Sequence, residues 1–209
     1  MGLPLPKQFL ILNGKPIAQH SLDVFASMPE IIEIVVVCAP EYHHLFDLSS
    51  VQAKLSFALP GNRRQDSVFN GLQELSLNPT LVSVHDTARP LITATLVHRI
   101  ADAAEKYGAA TAALPVKFTV RESDDFGLVV RTPNRSSMWE IQTPQIVRLS
   151  LLREGFANAH VKGLNVTDDV SLVELMGLPV QLIEGCHRNL KITTPEDLVI
   201  AQALCGRAL

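Results

Sequence analysis

The feature that most constrains the fold is a run of β-branched apolar residues, IIEIVVVCA, over residues 31–39, which ends at Pro40. A nearly continuous apolar run of this length predicts a strand buried on both faces, as in a parallel sheet. Four further segments have the length and composition of strands, at residues 55–59, 81–84, 109–116 and 180–183. The chain therefore contains enough strands for a substantial sheet.

Helical patterns lie between these strands. Apolar residues recur at helical spacing over residues 16–28, 66–75 and 93–107, and a last helix is predicted from Thr194 onward. That last helix has a threonine cap, Pro195 at its first position and acidic residues in its first turn, which all favour a helix start. Strands that alternate with helices predict an α/β fold with a doubly wound, mostly parallel sheet.

One polar segment, residues 117–135, interrupts this alternation. It contains the sequence SDDFG at residues 123–127 between two short stretches that favour strands. The pattern predicts a hairpin that projects from the main sheet, and such a projection often serves a partner chain. We therefore expect one domain over residues 1–209 with a β-arm at about residues 117–137.

Composition and charge exclude several classes of protein. A chain of 209 residues that is 47% hydrophobic can bury a core and is too apolar for intrinsic disorder. A net charge of −3 argues against a nucleic-acid-binding protein, which normally has a basic excess. The N-terminus is unlike a signal peptide, and no apolar run approaches the roughly 20 residues that span a membrane. Cys38, Cys186 and Cys205 form no zinc or disulfide pattern, so we expect a cytoplasmic protein.

Candidate site residues follow two of the predicted strands. Ligands of open α/β sheets bind beyond the carboxyl ends of the strands. After residues 55–59 comes GNRRQDS, in which Gly61 permits close approach of a ligand and Ser67 lies near a helix N-terminus. After residues 81–84 comes HDTARP, in which Asp86 and Arg89 suit a metal or hydroxyl contact beside a phosphate contact. His85 is interpreted as structural.

Three later positions are harder to assign from the sequence. Trp139 is interpreted as a packing anchor, and Asp168 and Asp169 as the cap of a helix. Lys191 lies alone in an apolar stretch and requires an anionic partner. If the cations of the strand ends and loops converge on one cleft, they suit a substrate with several phosphates. Those cations are Lys7, Arg64, Arg89, Arg135 and Lys191.

Taken in order, these motifs resemble those of the 2-C-methyl-D-erythritol 4-phosphate cytidylyltransferase family. The resemblance is carried by PKQFL at residues 6–10, Gly61 with Arg64 and DSV at 66–68, VHD at 84–86, ARP at 88–90, QTPQ at 142–145, TDD at 167–169 and residues 189–198. It extends essentially from one end of the chain to the other, so it is specific at the level of the family.

The resemblance implies a Rossmann-like sheet with a β-arm that contacts a second subunit, and hence a homodimer. It also implies an enzyme that joins CTP to 2-C-methyl-D-erythritol 4-phosphate and releases pyrophosphate, with Mg²⁺ as cofactor. The residues expected to be catalytic are Lys7 and Lys191. The residues expected to bind the nucleotide are Gly61, Asn62, Arg64, Ser67, Asp86 and Thr87. The residues expected to bind the sugar-alcohol phosphate are Asp86, Arg89, Thr119, Arg135, Thr143, Thr167 and Lys191. Asp86 is also the expected metal contact.

The resemblance is incomplete at the N-terminus. Family members begin with a strand and a glycine-rich loop that wraps the triphosphate, and Met1 and Gly2 align with the end of that loop. The sequence lacks the strand and most of the loop. We interpret it as part of a longer natural protein, and the alternative is a shortened chain.

Three other functions remain open, of which a generic sugar-nucleotide transferase fits least well because the motifs in the second half of the chain match the family so specifically. Ribitol 5-phosphate cytidylyltransferases form a sister family with nearly the same nucleotide site, although Trp139 and Ala88 look more like the methylerythritol enzymes. The remaining alternative is a non-catalytic homologue that dimerises through the arm and cannot hold CTP. Assays with the two sugar-alcohol phosphates distinguish the ribitol activity from the methylerythritol activity. Calorimetry with CTP distinguishes a non-catalytic homologue from an enzyme.

Overall fold

The computed structural model describes residues 6–205. Its helices and strands follow one another in this order: β1 (Ile11–Leu12), β2 (Lys15–Pro16), α1 (Ile17–Ala26), β3 (Glu33–Val37), β4 (Lys54–Ala58), α2 (Arg64–Gln73), β5 (Leu81–Val84), α3 (Ala94–Tyr107), β6 (Ala109–Pro115), β7 (Glu122–Ser123), β8 (Val129–Arg131), β9 (Trp139–Arg148), α4 (Leu149–Lys162), α5 (Ser171–Glu174), β10 (Gln181–Glu184) and α6 (Pro195–Cys205). Met1 and Gly2, which align with the end of the family's loop, lie outside the described residues.

The main sheet has four strands in the order β10-β6-β9-β5. β10 is parallel to β6, and β9 is antiparallel to both β6 and β5, so three of the four strands run in one direction. β3 and β4 pair with each other in parallel. All five strands predicted from apolar runs are present within two residues of their predicted bounds. The expected α/β fold with a mostly parallel sheet is confirmed.

Helices cover both faces of the main sheet, as a doubly wound fold requires. Successive residues of a strand point to opposite faces. Accordingly, Ala109 and Val147 pack in a core with α4 and α5, whereas Ala110 and Ile146 pack in a second core with α3. The small alanines of β6 let the helices approach the sheet closely, which explains why this strand is alanine-rich.

The central strand β9 was not predicted. Its sequence, WEIQTPQIVR, mixes apolar and polar residues and contains a proline, so it lacks the pattern of a buried strand. It nevertheless lies between β6 and β5, and Gln142 to Val147 are all buried. The interpretation of Trp139 as a packing anchor is wrong within this chain, because Trp139 remains 36% exposed. Helix α4, which directly follows β9, was also missed.

The predicted β-arm region contains an antiparallel pair, β7 and β8, whose residues are exposed. Asp124 forms its turn by accepting the N–H groups of Phe126 and Leu128 at 3.0 and 2.9 Å. Several apolar side chains of this region are exposed, including Phe126 at 90%. Within residues 6–205, no helix is long and apolar enough to cross a membrane.

The start of helix α6 allows the predicted capping role of Thr194 to be tested. The Thr194 hydroxyl accepts the N–H of Asp197 at 3.3 Å, and the Asp197 carboxylate accepts the N–H groups of Thr193 and Thr194 at 2.8 Å. These hydrogen bonds lower the pKa of Asp197 to about 2. We expect Thr194→Ala to lower the free energy of unfolding by about 1 kcal/mol in urea denaturation, because it removes the cap.

Gln202→Ala is the matched control for this prediction, because Gln202 is exposed in the same helix. It should change the free energy of unfolding by less than about 0.5 kcal/mol. Equal losses in the two variants would contradict the capping interpretation.

Candidate active site

Four charged side chains of alternating sign form a continuous chain at the carboxyl end of β5. Asp169 accepts two hydrogen bonds from the Arg64 guanidinium, at 3.0 Å from Nη1 and 2.7 Å from Nη2. Arg64 Nε lies 3.3 Å from one Asp86 oxygen, and Lys191 Nζ lies 2.6 Å from the other. The order is therefore Asp169, Arg64, Asp86, Lys191, with each charge adjacent to its opposite. The predicted convergence of Arg64, Asp86 and Lys191 is observed.

Burial and ion pairing set the charge states of these four side chains. Burial raises the pKa of Asp86, but the hydrogen bond from Lys191 and the charges of Arg64, Lys191 and Arg89 outweigh it and hold the pKa below its usual value. Burial lowers the pKa of Arg64, but Asp169 and Asp86 together raise it above its ordinary value. Burial raises the pKa of Asp169, and only Arg64 opposes the rise. Asp169 therefore depends on Arg64 for its charge.

Each of the four charged side chains lies on a different segment of the fold. Arg64 is the first residue of α2, and Asp86 follows β5. Asp169 precedes α5, and Gln145 of β9 fixes that segment by accepting the N–H groups of Asp169 and Val170 at 2.7 and 3.1 Å. The Lys191 loop is joined to the Asp86 turn through the N–H of Ile192 and the carbonyl of Ala88, at 2.8 Å. The site is thus assembled from four separate segments.

Thr143, a predicted substrate-binding residue, contacts the Asp86 turn from β9. Its hydroxyl accepts the N–H of Asp86 at 3.0 Å and lies 3.1 Å from Nδ1 of His85. Thr143 is 4% exposed. Burial lowers the pKa of His85 to about 4, so the ring is neutral at pH 7.

Arg89 is a buried cation with no carboxylate partner among residues 6–205. Its Nη1 donates to the carbonyl of Asn189 at 2.8 Å, its Nη2 lies 3.5 Å from the carbonyl of Ile141, and its buried Nε has no hydrogen-bond partner. Asn189 is itself fixed, because its side-chain amide donates to the carbonyl of Thr143 at 2.8 Å. A fixed guanidinium that no carboxylate of the described residues contacts directly is suited to an anionic ligand.

The GNRRQDS segment, residues 61–67, folds back on itself where α2 begins. The N–H of Gly61 donates to the Ser67 hydroxyl at 2.9 Å, and that hydroxyl donates to the carbonyl of Arg63 at 3.2 Å. A Cβ at Gly61 would lie 2.4 Å from Cβ of Asp66, so only glycine fits there. Ser67 therefore shapes the loop, and its predicted contact with the nucleotide stays a prediction.

Within residues 6–205, the side chains of the other predicted site residues form no hydrogen bond or ion pair with these four charged side chains. Lys7 lies in a short 3-10 helix whose Phe9 stacks on Tyr42 at 4.7 Å. Arg135 donates to the carbonyl of Lys117 at 2.8 Å in the arm region. The remaining four are exposed: Asn62, Thr87, Thr119 and Thr167. Their assignments to nucleotide or substrate stay predictions.

Comparison with known proteins tests the resemblance inferred from the motifs. A sequence model of the family "IspD: 2-C-methyl-D-erythritol 4-phosphate cytidylyltransferase" matches residues 1–207. The chain belongs to this family. It is 48% identical to the chloroplastic 2-C-methyl-D-erythritol 4-phosphate cytidylyltransferase of Oryza sativa subsp. japonica, over 98% of this chain and 69% of the relative. It is 44% identical to the Chlamydia pneumoniae cytidylyltransferase of the same name, over 97% of this chain and 92% of the relative.

A solved structure of the family shares the fold. The crystal structure of the cytidylyltransferase of the same name from Thermus thermophilus superposes with a TM-score of 0.83 at 37% sequence identity. The match covers 97% of this chain and 94% of that one. The resemblance inferred from motifs is therefore confirmed by sequence and by structure.

Sequence reasoning missed two residues that organise this cytidylyltransferase site. Asp169 was interpreted as a helix cap, but it is 1% exposed and binds Arg64 from 105 residues away. Asp168 does fit the capping interpretation, because it accepts the N–H of Ser171 at 3.1 Å. Gln145 was not singled out. The available signal was that Gln145 and Asp169 both lie in motifs that carry the family resemblance.

The pair of Arg64 and Asp169 supports a prediction about stability. Arg64→Met leaves Asp169 buried without a cation, so we expect the free energy of unfolding to fall by about 3 kcal/mol in urea denaturation. Arg64→Met combined with Asp169→Leu removes both charges and should regain most of that loss.

Arg63→Met is the matched control, because the neighbouring pair of Arg63 and Asp66 is exposed. It should cost less than about 1 kcal/mol. A loss in Arg64→Met no larger than that in Arg63→Met would show that the buried pair does not hold the site together.

Proposed function

We propose that this chain transfers the cytidylyl group of CTP to 2-C-methyl-D-erythritol 4-phosphate in isoprenoid precursor synthesis. The products are 4-diphosphocytidyl-2-C-methyl-D-erythritol and pyrophosphate. The observation that carries this proposal is the convergence of Arg64, Lys191 and Arg89 on Asp86 at a sheet edge, in a chain that belongs to the cytidylyltransferase family. Cations at this edge match the position where α/β sheets bind their ligands.

The reaction is a direct displacement at phosphorus. A phosphate oxygen of the sugar-alcohol phosphate forms a bond to the α-phosphorus of CTP, and the bond from that phosphorus to the bridging oxygen of the β-phosphate breaks. The bonding electrons leave with pyrophosphate. Because the nucleophile is already an anion, the step requires no general base and no covalent enzyme intermediate. The protein contributes positioning and positive charge.

Lys191 is the residue best placed to stabilise the developing charge. An ammonium group has three N–H donors, and Asp86 occupies one of them. Two donors remain for phosphate oxygens, while Asp86 keeps the ammonium in one position. Arg89 supplies a second cation, and we propose that it holds the sugar-alcohol phosphate. Lys7 is proposed to contact the triphosphate.

Magnesium is the proposed cofactor. The residues described here would hold the ion only together with the phosphates of the nucleotide. Within residues 6–205, no group of three or more histidine, cysteine or acidic residues could hold a metal ion. Both oxygens of Asp86 already contact cations. Mg²⁺ is usually bound by one or two carboxylates together with substrate phosphates and waters. Asp86 would therefore contact it through water, and the ion would neutralise the pyrophosphate.

We also propose a homodimer formed through the arm, in the cytoplasm. The exposed apolar side chains of the arm region, Phe118, Phe126, Leu128, Val129 and Val130, support a protein interface. Arg135 and Thr119 flank this hairpin, so dimerisation would bring them to the partner's site. The cysteines are unpaired, which supports a reducing compartment.

The activity is tested by pyrophosphate release from CTP, Mg²⁺ and 2-C-methyl-D-erythritol 4-phosphate. We expect release that requires all three, and a much lower rate with ribitol 5-phosphate. Lys191→Met should lower kcat about 100-fold, because it removes charge from the transition state. Lys162→Met, at an exposed position of α4, is the control and should leave kcat unchanged. Equal rates with ribitol 5-phosphate would assign the chain to the sister activity.

The shared site is tested by mixing two inactive variants, Lys191→Met and Arg135→Ala. If the arm of one protomer completes the site of the other, a mixed dimer has one intact site. Random exchange of subunits should then restore roughly a quarter of the wild-type activity, because half of the dimers are mixed and each has one working site. No recovery after exchange is verified by mass spectrometry would contradict the shared site.

A further inference from the structure

His85 is a half-buried titratable group, next to Asp86 in the sequence, that the proposed chemistry does not use. It follows β5 directly and precedes Asp86. Its ring centroid lies 5.4 Å from that of Phe25 in α1. Its two nitrogens have different partners: Nε2 lies 3.1 Å from the carbonyl oxygen of Arg89, and Nδ1 lies 3.1 Å from the hydroxyl oxygen of Thr143.

These partners fix the tautomer of the ring. A carbonyl oxygen only accepts hydrogen bonds, so Nε2 of His85 carries the hydrogen. In a neutral ring, Nδ1 is then an acceptor, and the Thr143 hydroxyl must donate to it. The same hydroxyl oxygen accepts the N–H of Asp86 at 3.0 Å. Every hydrogen bond in this series has one possible direction.

We propose that His85 is a positioning residue of the cytidylyl transfer, which acts through Thr143 to fix the backbone of Asp86. The inference rests on the proposed function and assigns that site a further residue. The Asp86 backbone matters because its carboxylate holds Lys191 on one side and Arg64 on the other. A small rotation of the Asp86 turn displaces Lys191 from the phosphates, and misplacement by about 1 Å can cost about 100-fold in rate.

The same geometry determines what Thr143 can offer a substrate. Its proton is committed to His85, and one of its lone pairs is committed to Asp86. Thr143 therefore has no donor for a phosphate oxygen, and its remaining lone pair accepts from a hydroxyl group. If it contacts the second substrate, that contact is with a hydroxyl of the sugar alcohol.

The first experiment measures the tautomer in the wild-type protein. The ¹⁵N chemical shifts of the His85 ring at pH 7 should show a hydrogen on Nε2 and none on Nδ1. A hydrogen on Nδ1, or on both nitrogens, would overturn the proposal. This measurement does not depend on turnover, so it stands even if the protein fails to release pyrophosphate and the proposed function is lost.

The second experiment compares two substitutions of His85. His85→Asn places an amide oxygen close to the position of Nδ1 and keeps an acceptor for Thr143, whereas His85→Leu keeps none. We expect kcat to fall about tenfold or more in His85→Leu and only a few-fold in His85→Asn, with little change in KM for either substrate. His98→Leu, on the exposed face of α3, is the control and should leave kcat unchanged.

The third experiment tests whether His85 acts through Thr143. Thr143→Val removes the hydroxyl at nearly constant volume. If the two residues act in series, the double variant His85→Leu with Thr143→Val should lose no more activity than the more damaging single variant. Losses that multiply would overturn the proposal.

A readout in the folded protein separates positioning from simple stability. The hydrogen-exchange protection factor of the Asp86 N–H, calculated with the intrinsic rate for each neighbouring residue, should fall in His85→Leu and in Thr143→Val and stay close to its wild-type value in His85→Asn. Thermal unfolding identifies any variant that does not fold. A protection factor of Asp86 unchanged in folded His85→Leu would overturn the proposal, whether or not the wild-type protein is active.

Discussion

The alternation of charge from Asp169 to Lys191 is the interaction on which the rest of the site depends. A buried ion without a partner is strongly destabilising, so Asp169 and the largely buried Asp86 require the cations beside them. Because Arg64 begins α2, Asp86 follows β5, and Asp169 precedes α5, the requirement for pairing also fixes three elements relative to one another. The same contacts that orient Lys191 for chemistry therefore contribute to the packing of the fold.

Strand β9 supports the loops around the four charged side chains. Three of its buried polar residues each hold a different loop: Gln142 donates to the carbonyl of Cys186, Thr143 accepts from Asp86, and Gln145 accepts from Asp169. Buried polar side chains are tolerated only where such partners exist. The strand is antiparallel to both of its neighbours, and one of these three loops, the one that contains Asp86, directly follows its neighbour β5.

The sequence predicts the parts of this protein that depend on local patterns. Strands such as β3, which lies in a nearly continuous apolar run, and helix starts such as Thr194 follow from residues close together in the chain. β9 does not, because its polar residues become compatible with burial only through partners far away in sequence. Asp169 was mistaken for a cap for the same reason, since its partner Arg64 is 105 residues away. The convergence of cations was proposed from strand ends, but their pairing order required the structure.

Lys191 and Arg89 have different partners and therefore different roles in the site. Lys191 contacts Asp86, which fixes its position and leaves two of its N–H groups for an incoming anion. Arg89 is 9% exposed, and burial lowers its pKa, yet carbonyl oxygens are its hydrogen-bond partners in the described part of the chain. A desolvated cation whose hydrogen bonds go to carbonyl oxygens attracts an anion strongly because water does not screen it, even with the Asp86 carboxylate offsetting part of its charge. Paired cations therefore set the geometry of the site, and the unpaired one supplies attraction for the substrate phosphate.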